Sequence, residues 1–181
     1  MTLAEHGPTL LRLARAAIAQ ALGEEAQDEP APPALLQPGA SFVTLTQRGD
    51  LRGCMGTLEA HRPLADDVRH NAVASALRDP RFTPLTRDEF GYTRVEVSVL
   101  SNAAPLAFAD EADALAQLRP EVDGIILECD WHRATFLPQV WEQLPDPREF
   151  LGHLKRKAGL PAHYWSERMR LSRYGVEKFK E

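Results

Sequence analysis

The sequence has few cysteines and no long apolar run, and both absences narrow the class of protein. Its two cysteines, Cys54 and Cys129, are too few for a disulfide framework and form no CxxC pair. No segment approaches the roughly 20 consecutive apolar residues that a membrane-spanning helix needs. Residues 1–22 contain an acidic residue and an amphipathic pattern, which is not typical of a signal peptide. We therefore expect a cytoplasmic protein with reduced thiols and no membrane contact.

Positive charge and the common catalytic motifs are also scarce. The chain has 21 lysines and arginines against 26 acidic residues, a formal net charge of −5, so its overall charge would not favour nucleic acid as a partner. The local exception is the basic run at residues 155–157, which we interpret as a solvated helix face. There is no phosphate-binding glycine loop, paired-carboxylate motif or Gly-x-Ser-x-Gly. No standard catalytic motif is therefore available to identify an activity.

The sequence does contain short helix and strand patterns in an irregular order. Helices are predicted at about 7–22, 63–78 and 110–118, and between 138 and Gly159. Strands are predicted at 41–46 and 51–56, joined by a turn at 47–50, and then at 95–101, 125–127, 134–137 and near 170–180. Regular strand–helix alternation is missing. We therefore predict an α+β fold with a mainly antiparallel sheet flanked by helices.

The length of the chain suits one domain, spanning residues 1–181, with room for a small subdomain formed by intermediate segments. Residues 24–39 are acidic and rich in proline, which predicts an extended connector on the surface. We find no internal repeat. Any functional site should therefore come from the single folded domain rather than from an array of similar units.

The hexapeptide LRGCMG at residues 51–56 is the most informative motif. A glycine within a strand usually marks a bulge or the close approach of a backbone or ligand. Because side chains alternate along a strand, Arg52, Cys54 and Gly56 should share one face. The guanidinium would then lie about 5–8 Å from the sulfur and favour the thiolate. We expect Gly53 and Gly56 to leave a hollow beside this thiol.

Cys54 is accordingly a candidate nucleophile, with a small buried hydrophobic residue as the alternative interpretation. No histidine occurs at a spacing that would identify a general base. His70 is on the helix that follows the hairpin, but a partly exposed surface histidine is the better interpretation. Glu128, Asp130 and His132 alternate like metal ligands, yet they fall where a hairpin must turn. We therefore expect no metal site, and the sequence identifies no cofactor.

Arg81 lies just beyond a predicted helix end, where an arginine either braces a carboxylate or binds an anion. Glu96 lies on the polar face of a mostly apolar strand and is a good partner for such an arginine, because buried carboxylates need one. The candidate binding residues are therefore Arg52, Gly53, Gly56, Arg81 and Glu96, around the candidate catalytic residue Cys54.

Seven short motifs, in this order, resemble those of the AMMECR family, whose bacterial and archaeal members are called AmmeMemoRadiSam system protein A. They are SFVTL (41–45), LRGCMG (51–56), DPRF (79–82), VSVL (97–100), FLPQV (136–140), KAGL (157–160) and RY (173–174). The resemblance covers nearly the whole chain and is weakest before about residue 40. The hexapeptide is the family's signature.

The resemblance implies an α+β fold with a larger part, a smaller subdomain and the signature near the cleft between them. It also implies two partners, a Memo-type protein and a radical S-adenosylmethionine enzyme, but no established reaction. Three hypotheses follow. The chain is a module that binds a partner or a small-molecule ligand beside Gly53 and Gly56, or an enzyme that uses Cys54 on an anionic small molecule, or the signature is only a tightly packed hairpin.

Overall fold

The computed structural model describes residues 3–181, whose helices and strands follow the sequence patterns closely. The α-helices are α1 (Gly7–Ala21), α2 (Leu64–Leu77), α3 (Arg87–Phe90), α4 (Glu111–Gln117) and α5 (Pro147–Lys157). The strands are β1 (Pro38–Gln47), β2 (Asp50–Gly56), β3 (Arg62–Pro63), β4 (Arg94–Leu100), β5 (Ala104–Pro105), β6 (Gly124–Cys129), β7 (His132–Phe136), β8 (Arg170–Tyr174) and β9 (Val176–Lys180). Short 3₁₀ helices occupy Leu3–His6, Pro33–Leu36 and Pro138–Glu142.

Local residue chemistry explains where these elements begin and end. Pro8 lies in the first turn of α1, and Gly23 follows the helix with a φ of 78°. Gly49 turns β1 into β2 with a φ of 89°. The Asp146 side chain accepts hydrogen bonds from two backbone N–H groups of α5, and Gly159 follows that helix with a φ of 88°. The predicted helix and hairpin positions are therefore confirmed.

The described residues divide into two compact units. The first unit contains the described residues up to Leu100 together with Glu177–Glu181. Its antiparallel sheet has the order β2-β1-β4-β9, with β3 paired to β1. α1 and α2 cover one face, and the core contains fully buried aliphatic residues from both helices and the sheet: Leu10, Leu13, Ile18, Val43, Leu45, Val68 and Val97. Each such side chain contributes about 2 kcal/mol on burial.

The second unit spans Ser101–Val176 and has a sheet of its own. The strand order is β5-β8-β6-β7, again antiparallel. Its core includes Ile125, Leu127 and Leu154, and the rings of Trp141 and Phe150 stack with their centroids 3.7 Å apart. The predicted α+β fold with antiparallel strands flanked by helices is therefore confirmed, and its strands form two sheets.

Two local interpretations need correction. The proline-rich connector is not wholly a surface segment, because Leu35 is buried in the core of the first unit and β1 already begins at Pro38. The basic run at residues 155–157 is not a fully solvated face, because Lys155 is buried beside Glu111. Within residues 3–181 no helix has the length and apolar character needed to cross a bilayer.

Candidate functional site

The signature hexapeptide forms most of β2, an edge strand of the first unit's sheet. Thr44 on β1 pairs with Cys54, and Leu45 pairs with Gly53, but the next residue of β1 pairs with Leu51. A β-bulge therefore lies at Arg52, which has no partner on β1. A bulge interrupts the alternation of side chains along a strand. The prediction that Arg52 lies on the same face as Cys54 and Gly56 therefore does not hold.

Arg52 is directed to a carboxylate rather than to the thiol. Its Nε and Nη2 donate to Oε1 and Oε2 of Glu89, at 3.1 and 3.2 Å. These hydrogen bonds, followed by one from the backbone N–H of Thr86, lower the pKa of Glu89 to about 2. This corrects the expectation that Arg52 supports a thiolate or holds an anionic group: its planar guanidinium already makes a bidentate ion pair that ties β2 to α3.

Asp79 and Arg81 occupy the free edge of β2 at Cys54. The backbone N–H of Cys54 donates to Asp79 Oδ2 at 2.9 Å, and Arg81 Nη2 donates to the carbonyl of Cys54 at 3.3 Å. The same guanidinium donates to both Asp79 carboxylate oxygens, at 2.7 and 3.0 Å. The two side chains therefore supply the acceptor and the donor that a neighbouring strand would have supplied, and they close this position of the sheet edge to another chain.

Asp79 is the carboxylate that Arg81 braces, so the predicted pairing of Arg81 with Glu96 is wrong. Glu96 instead pairs with Lys180, at 3.0 Å. Hydrogen bonds from the Arg81 guanidinium, and then from the N–H groups of Cys54 and Arg81, hold the pKa of Asp79 well below its usual value although burial opposes this. Asp79 is therefore an ionised carboxylate whose oxygens are fully engaged within the first unit.

Neither glycine of the signature leaves a hollow. A Cβ atom at Gly53 would collide with the backbone carbonyl oxygen of Ser75 on α2, and one at Gly56 would collide with the ring of Phe42. The close approach that the sequence indicated is real, but the approaching groups belong to this chain. The expected space beside the thiol is therefore filled by α2 at one glycine and by an aromatic ring at the other.

Ser75 also joins the two strands of the hairpin to α2. Its hydroxyl accepts a hydrogen bond from the N–H of Met55 at 2.9 Å and donates to the carbonyl of Val43 at 2.7 Å. Ser75 is nearly inaccessible to solvent, so both bonds are made in a low-dielectric environment where an unpaired group would be costly. The helix thus fixes the position of the signature strand through hydrogen bonds as well as through packing.

A second buried carboxylate, Asp67, lies two helical turns before Ser75. It accepts hydrogen bonds from the N–H and hydroxyl of Ser41, at 2.9 and 2.7 Å, and from the hydroxyl of Thr57 at 2.8 Å. Asn71, between Asp67 and Ser75 on the helix, donates to the carbonyl of Ser41 at 3.0 Å. This network connects α2 to β1 and to the end of the signature strand.

A buried polar stripe on α2, absent from the predicted site residues, holds the signature strand. Its four residues are buried and follow one another at a spacing of four, on α2 and just past its end: Asp67, Asn71, Ser75 and Asp79. That spacing was visible in the sequence, because residues four apart lie on one helix face. The apolar residues of this helix predict its position, but they do not indicate what the polar residues contact.

The thiol of Cys54 is partly exposed on the face of the sheet opposite to α2. Its sulfur lies 3.4 Å from the hydroxyl of Thr44, whereas Cys129 is buried. Thr44 pairs with Cys54 on one side and with Glu96 on the other, so these three side chains share that face. The structure therefore brings Cys54 together with Arg81, but it brings neither Arg52 nor His70 to the sulfur as a contact, and His70 is exposed on α2.

Glu128 and His132, which alternate in the sequence like metal ligands, contact other residues of the second unit. Arg133 Nε donates to Glu128 at 3.0 Å, and His132 Nδ1 lies 2.8 Å from the carbonyl oxygen of Ala158. Among residues 3–181, no group of three or more histidine, cysteine or acidic side chains has a geometry that would hold a metal ion.

A cavity of about 320 Å³ lies at the start of the signature strand. Residues from the hairpin turn and β2, including Leu51 and Arg52, line it together with Tyr92, which follows α3. Leu51 and Tyr92 are two of the large apolar side chains that this protein exposes, with 43% and 56% of their surface accessible. Within the signature, Leu51 and Gly56 at its two ends are exposed, whereas Gly53 is buried, and it is Leu51 that borders this cavity.

Both the sequence and the structure are similar to those of known proteins over nearly the whole chain. The AMMECR1 family model matches residues 11–179. A protein of Methanothermobacter thermautotrophicus is 37% identical over 98% of this chain and 95% of its own length. A protein of Methanocaldococcus jannaschii is 34% identical over 98% of this chain and 90% of its own. The crystal structure of an uncharacterized protein from Pyrococcus horikoshii has a TM-score of 0.82 and 34% identity, covering 98% of this chain and 92% of that one.

Proposed function

The chain belongs to the AMMECR1 family, and from that premise we propose that it is a partner-binding module that works with a Memo-type protein and a radical S-adenosylmethionine enzyme. The partners come from the family resemblance carried by the signature and the motifs around it. We also propose a cytoplasmic location, which the two free thiols support. The binding surface is the one around Leu51 and Tyr92.

The observation that supports this surface most strongly is the exposure of two large apolar side chains around one cavity. Leu51 and Tyr92 border a space of about 320 Å³ together with Arg48, Asp50 and Gln47. Exposed apolar side chains rimmed by polar ones are typical of protein interaction sites. Tyrosine and arginine are also enriched at the residues that dominate binding energy in such interfaces. The composition of this cavity therefore suits a protein partner.

The packing of the signature supports the same proposal, because it makes the surface rigid before any partner binds. The ion pair between Arg52 and Glu89 joins β2 to α3, and the N–H of Tyr92 donates to the carbonyl of Glu89 at 3.2 Å. Leu51 and Tyr92 are thus tied to each other through Arg52 and Glu89. A preorganised surface loses less conformational entropy on binding and so retains more of its interaction energy.

The test is to coexpress the full chain with the Memo-type protein of the same genome and to measure the affinity of the purified pair. We expect Leu51→Asp and Tyr92→Ala each to weaken binding at least about tenfold, as central interface residues do. Leu36→Asp is the matched control, because Leu36 is exposed to a similar extent, 52%, but does not line this cavity. No measurable complex with the wild-type chain, or equal losses in all three variants, would contradict the proposal.

An enzyme that uses the Cys54 thiolate is the second candidate. It is favoured by the partial exposure of this thiol and by Arg81, whose guanidinium lies beside Cys54 and donates to its backbone carbonyl at 3.3 Å. We expect iodoacetamide to alkylate Cys54 faster than an unfolded cysteine, and more slowly after Arg81→Gln than after Arg52→Gln. A rate for folded Cys54 at or below that of the unfolded chain would rule this candidate out.

A further inference from the structure

The second unit has a groove of its own, with a volume of about 410 Å³. Arg148, Gly152 and Arg156 line it from α5, and Glu111, Glu149 and His163 are among the other lining residues. A volume of this size is within the range of about 300–1,000 Å³ that small-molecule sites occupy. The groove is formed entirely by residues of the second unit, and nothing proposed above for the signature hairpin depends on it.

Two arginines without partners distinguish this groove from the signature hairpin. Neither the Arg148 nor the Arg156 guanidinium makes a hydrogen bond or an ion pair within the part of the chain that the structure describes, residues 3–181. They are eight residues apart on α5, so their Cα atoms are separated by about 12 Å along the helix axis. Arginine side chains of about 6 Å can converge across that distance, so both can contact one ligand.

The acidic residues of the groove do not cancel these charges. The negative charge of Glu111 is already neutralised, because the buried ammonium of Lys155 donates to its Oε1 at 2.8 Å. Lys155 also donates to the carbonyl of Ala162 at 3.3 Å, which fixes it under the groove. One carboxylate, Glu149, then remains against two guanidiniums. The groove therefore carries net positive charge, although the protein as a whole is acidic.

Gly152 is an independent indication that the groove is kept open. It lies in the middle of α5, where glycine costs about 1 kcal/mol relative to alanine. Packing does not require this glycine, since a Cβ atom here would lie 3.6 Å from the Cβ of Ala162, an ordinary van der Waals contact. Unlike Gly53, Gly152 has room for a Cβ atom. A larger side chain at this position would occupy the groove between the two arginines.

We propose that this groove binds a small molecule through its phosphoryl group. The planar guanidinium matches a phosphoryl group because two parallel N–H donors meet two oxygens, and two guanidiniums share its charge. Glu149 and the imidazole of His163 provide hydrogen-bonding groups for the remaining polar part of such a molecule. The ligand is thus a phosphorylated metabolite rather than a nucleic acid, which needs a longer positive surface.

The experiment is an NMR titration of the ¹⁵N-labelled full chain with inorganic pyrophosphate at constant ionic strength. We expect saturable shifts of the amides of α5 and of those around His163. Arg148→Gln and Arg156→Gln should each weaken the affinity about tenfold or more, since each removes a charge-assisted pair of hydrogen bonds. Gly152→Leu, which fills the groove, should abolish binding, and Gly152→Ala should keep the fold and weaken binding less.

The control is the double variant Arg78→Gln/Arg170→Gln, which removes two exposed arginines that do not line the groove. Its pyrophosphate affinity should equal that of the wild-type chain. The proposal is overturned if pyrophosphate gives no saturable shifts, if the shifts map elsewhere, or if the control weakens binding as much as Arg148→Gln/Arg156→Gln. Equal affinity for sulfate and pyrophosphate in every variant would also overturn it, because it would show general attraction of anions.

Discussion

The signature hairpin and the α5 groove differ in where their charged groups find partners. In the hairpin, Arg52 binds Glu89, and Arg81 and Asp79 bind each other and the backbone of Cys54. In the groove, Arg148 and Arg156 have no partner within residues 3–181. The motif that is most specific in sequence therefore uses its charges to hold the fold, and a stretch with no recognisable motif leaves its charges available to a ligand.

The same contrast applies to the glycines of the two regions. Gly53 is required because the backbone of α2 occupies the position of its missing side chain, whereas Gly152 faces ordinary contacts and has room for alanine. Where the protein's own atoms occupy the position of the missing side chain, glycine is required for packing. Where they do not, the glycine leaves space for a ligand. Four experiments test how the two regions differ, from the largest expected effect to the smallest.

The largest effect is expected from alanine at the two glycines. Gly53→Ala should lower the free energy of unfolding by about 3 kcal/mol, because the new methyl group must displace the α2 backbone. Gly152→Ala should instead raise it by about 0.5 kcal/mol through helix propensity. Urea denaturation of both variants measures the difference. Similar destabilisation by both would mean that Gly152 is also enforced by packing and would remove one support of the groove.

A smaller loss is expected when the edge of β2 is opened. Asp79→Asn should cost about 2 kcal/mol at pH 7, because the amide accepts fewer hydrogen bonds and no longer pairs with Arg81. The variant Asp50→Asn is the control, since Asp50 is exposed on the same strand. Hydrogen exchange at the amide of Cys54 should also accelerate for Asp79→Asn. Unchanged protection there would contradict the edge-closing role of Asp79.

The ion pair of Arg52 predicts a pH dependence in a defined window. The pKa of Glu89 is about 2 in the folded protein and its ordinary value is 4.5, so the pair stabilises the fold fully above about pH 4.5. That contribution is lost as the pH falls toward 2. Glu89→Gln should therefore cost about 1 kcal/mol at pH 7 and progressively less below pH 4.5. A pH-independent difference from the wild-type chain would show that the ion pair is not the cause.

The smallest effect is expected at the groove. Arg148→Gln/Arg156→Gln should change the free energy of unfolding by less than about 0.5 kcal/mol, because neither guanidinium has a partner to lose. Thermal unfolding without ligand measures this value. A loss as large as that of Asp79→Asn would mean that these arginines stabilise the fold, and the contrast between the two regions would then fail.

The elements were predictable because their signals are local. The apolar spacing of α1, the proline near its start and Gly23 after its end lie within about twenty residues of one another. The turn at Gly49 and the capping residues of α5 are equally local. The second sheet was not predictable in this way. β8 pairs with β5 and β6, which are far from it in sequence, and the pattern of each strand does not identify its partner.

At residues 51–56, a close approach was predictable from the sequence, but the groups that make it were not. The close approach that the sequence indicated is present at Gly53, where the backbone of α2 lies against the strand. The partners were assigned wrongly because one bulge at Arg52 changed the alternation on which they depended. The buried stripe from Asp67 to Asp79 had a visible spacing of four, but its role requires knowing that this face of α2 lies against polar backbone groups of β1 and β2.

By itself, the sequence determined the family, the α+β class and the positions of the helices and hairpins, because periodicity and capping act over a few residues. Only the tertiary structure decided which charges are satisfied. Arg52, Arg81, Arg148 and Arg156 are the same residue type, and their neighbours in sequence do not separate them. What separates them is whether folding brings a carboxylate within hydrogen-bonding distance, since an arginine with such a partner braces the fold and one without it can bind a ligand.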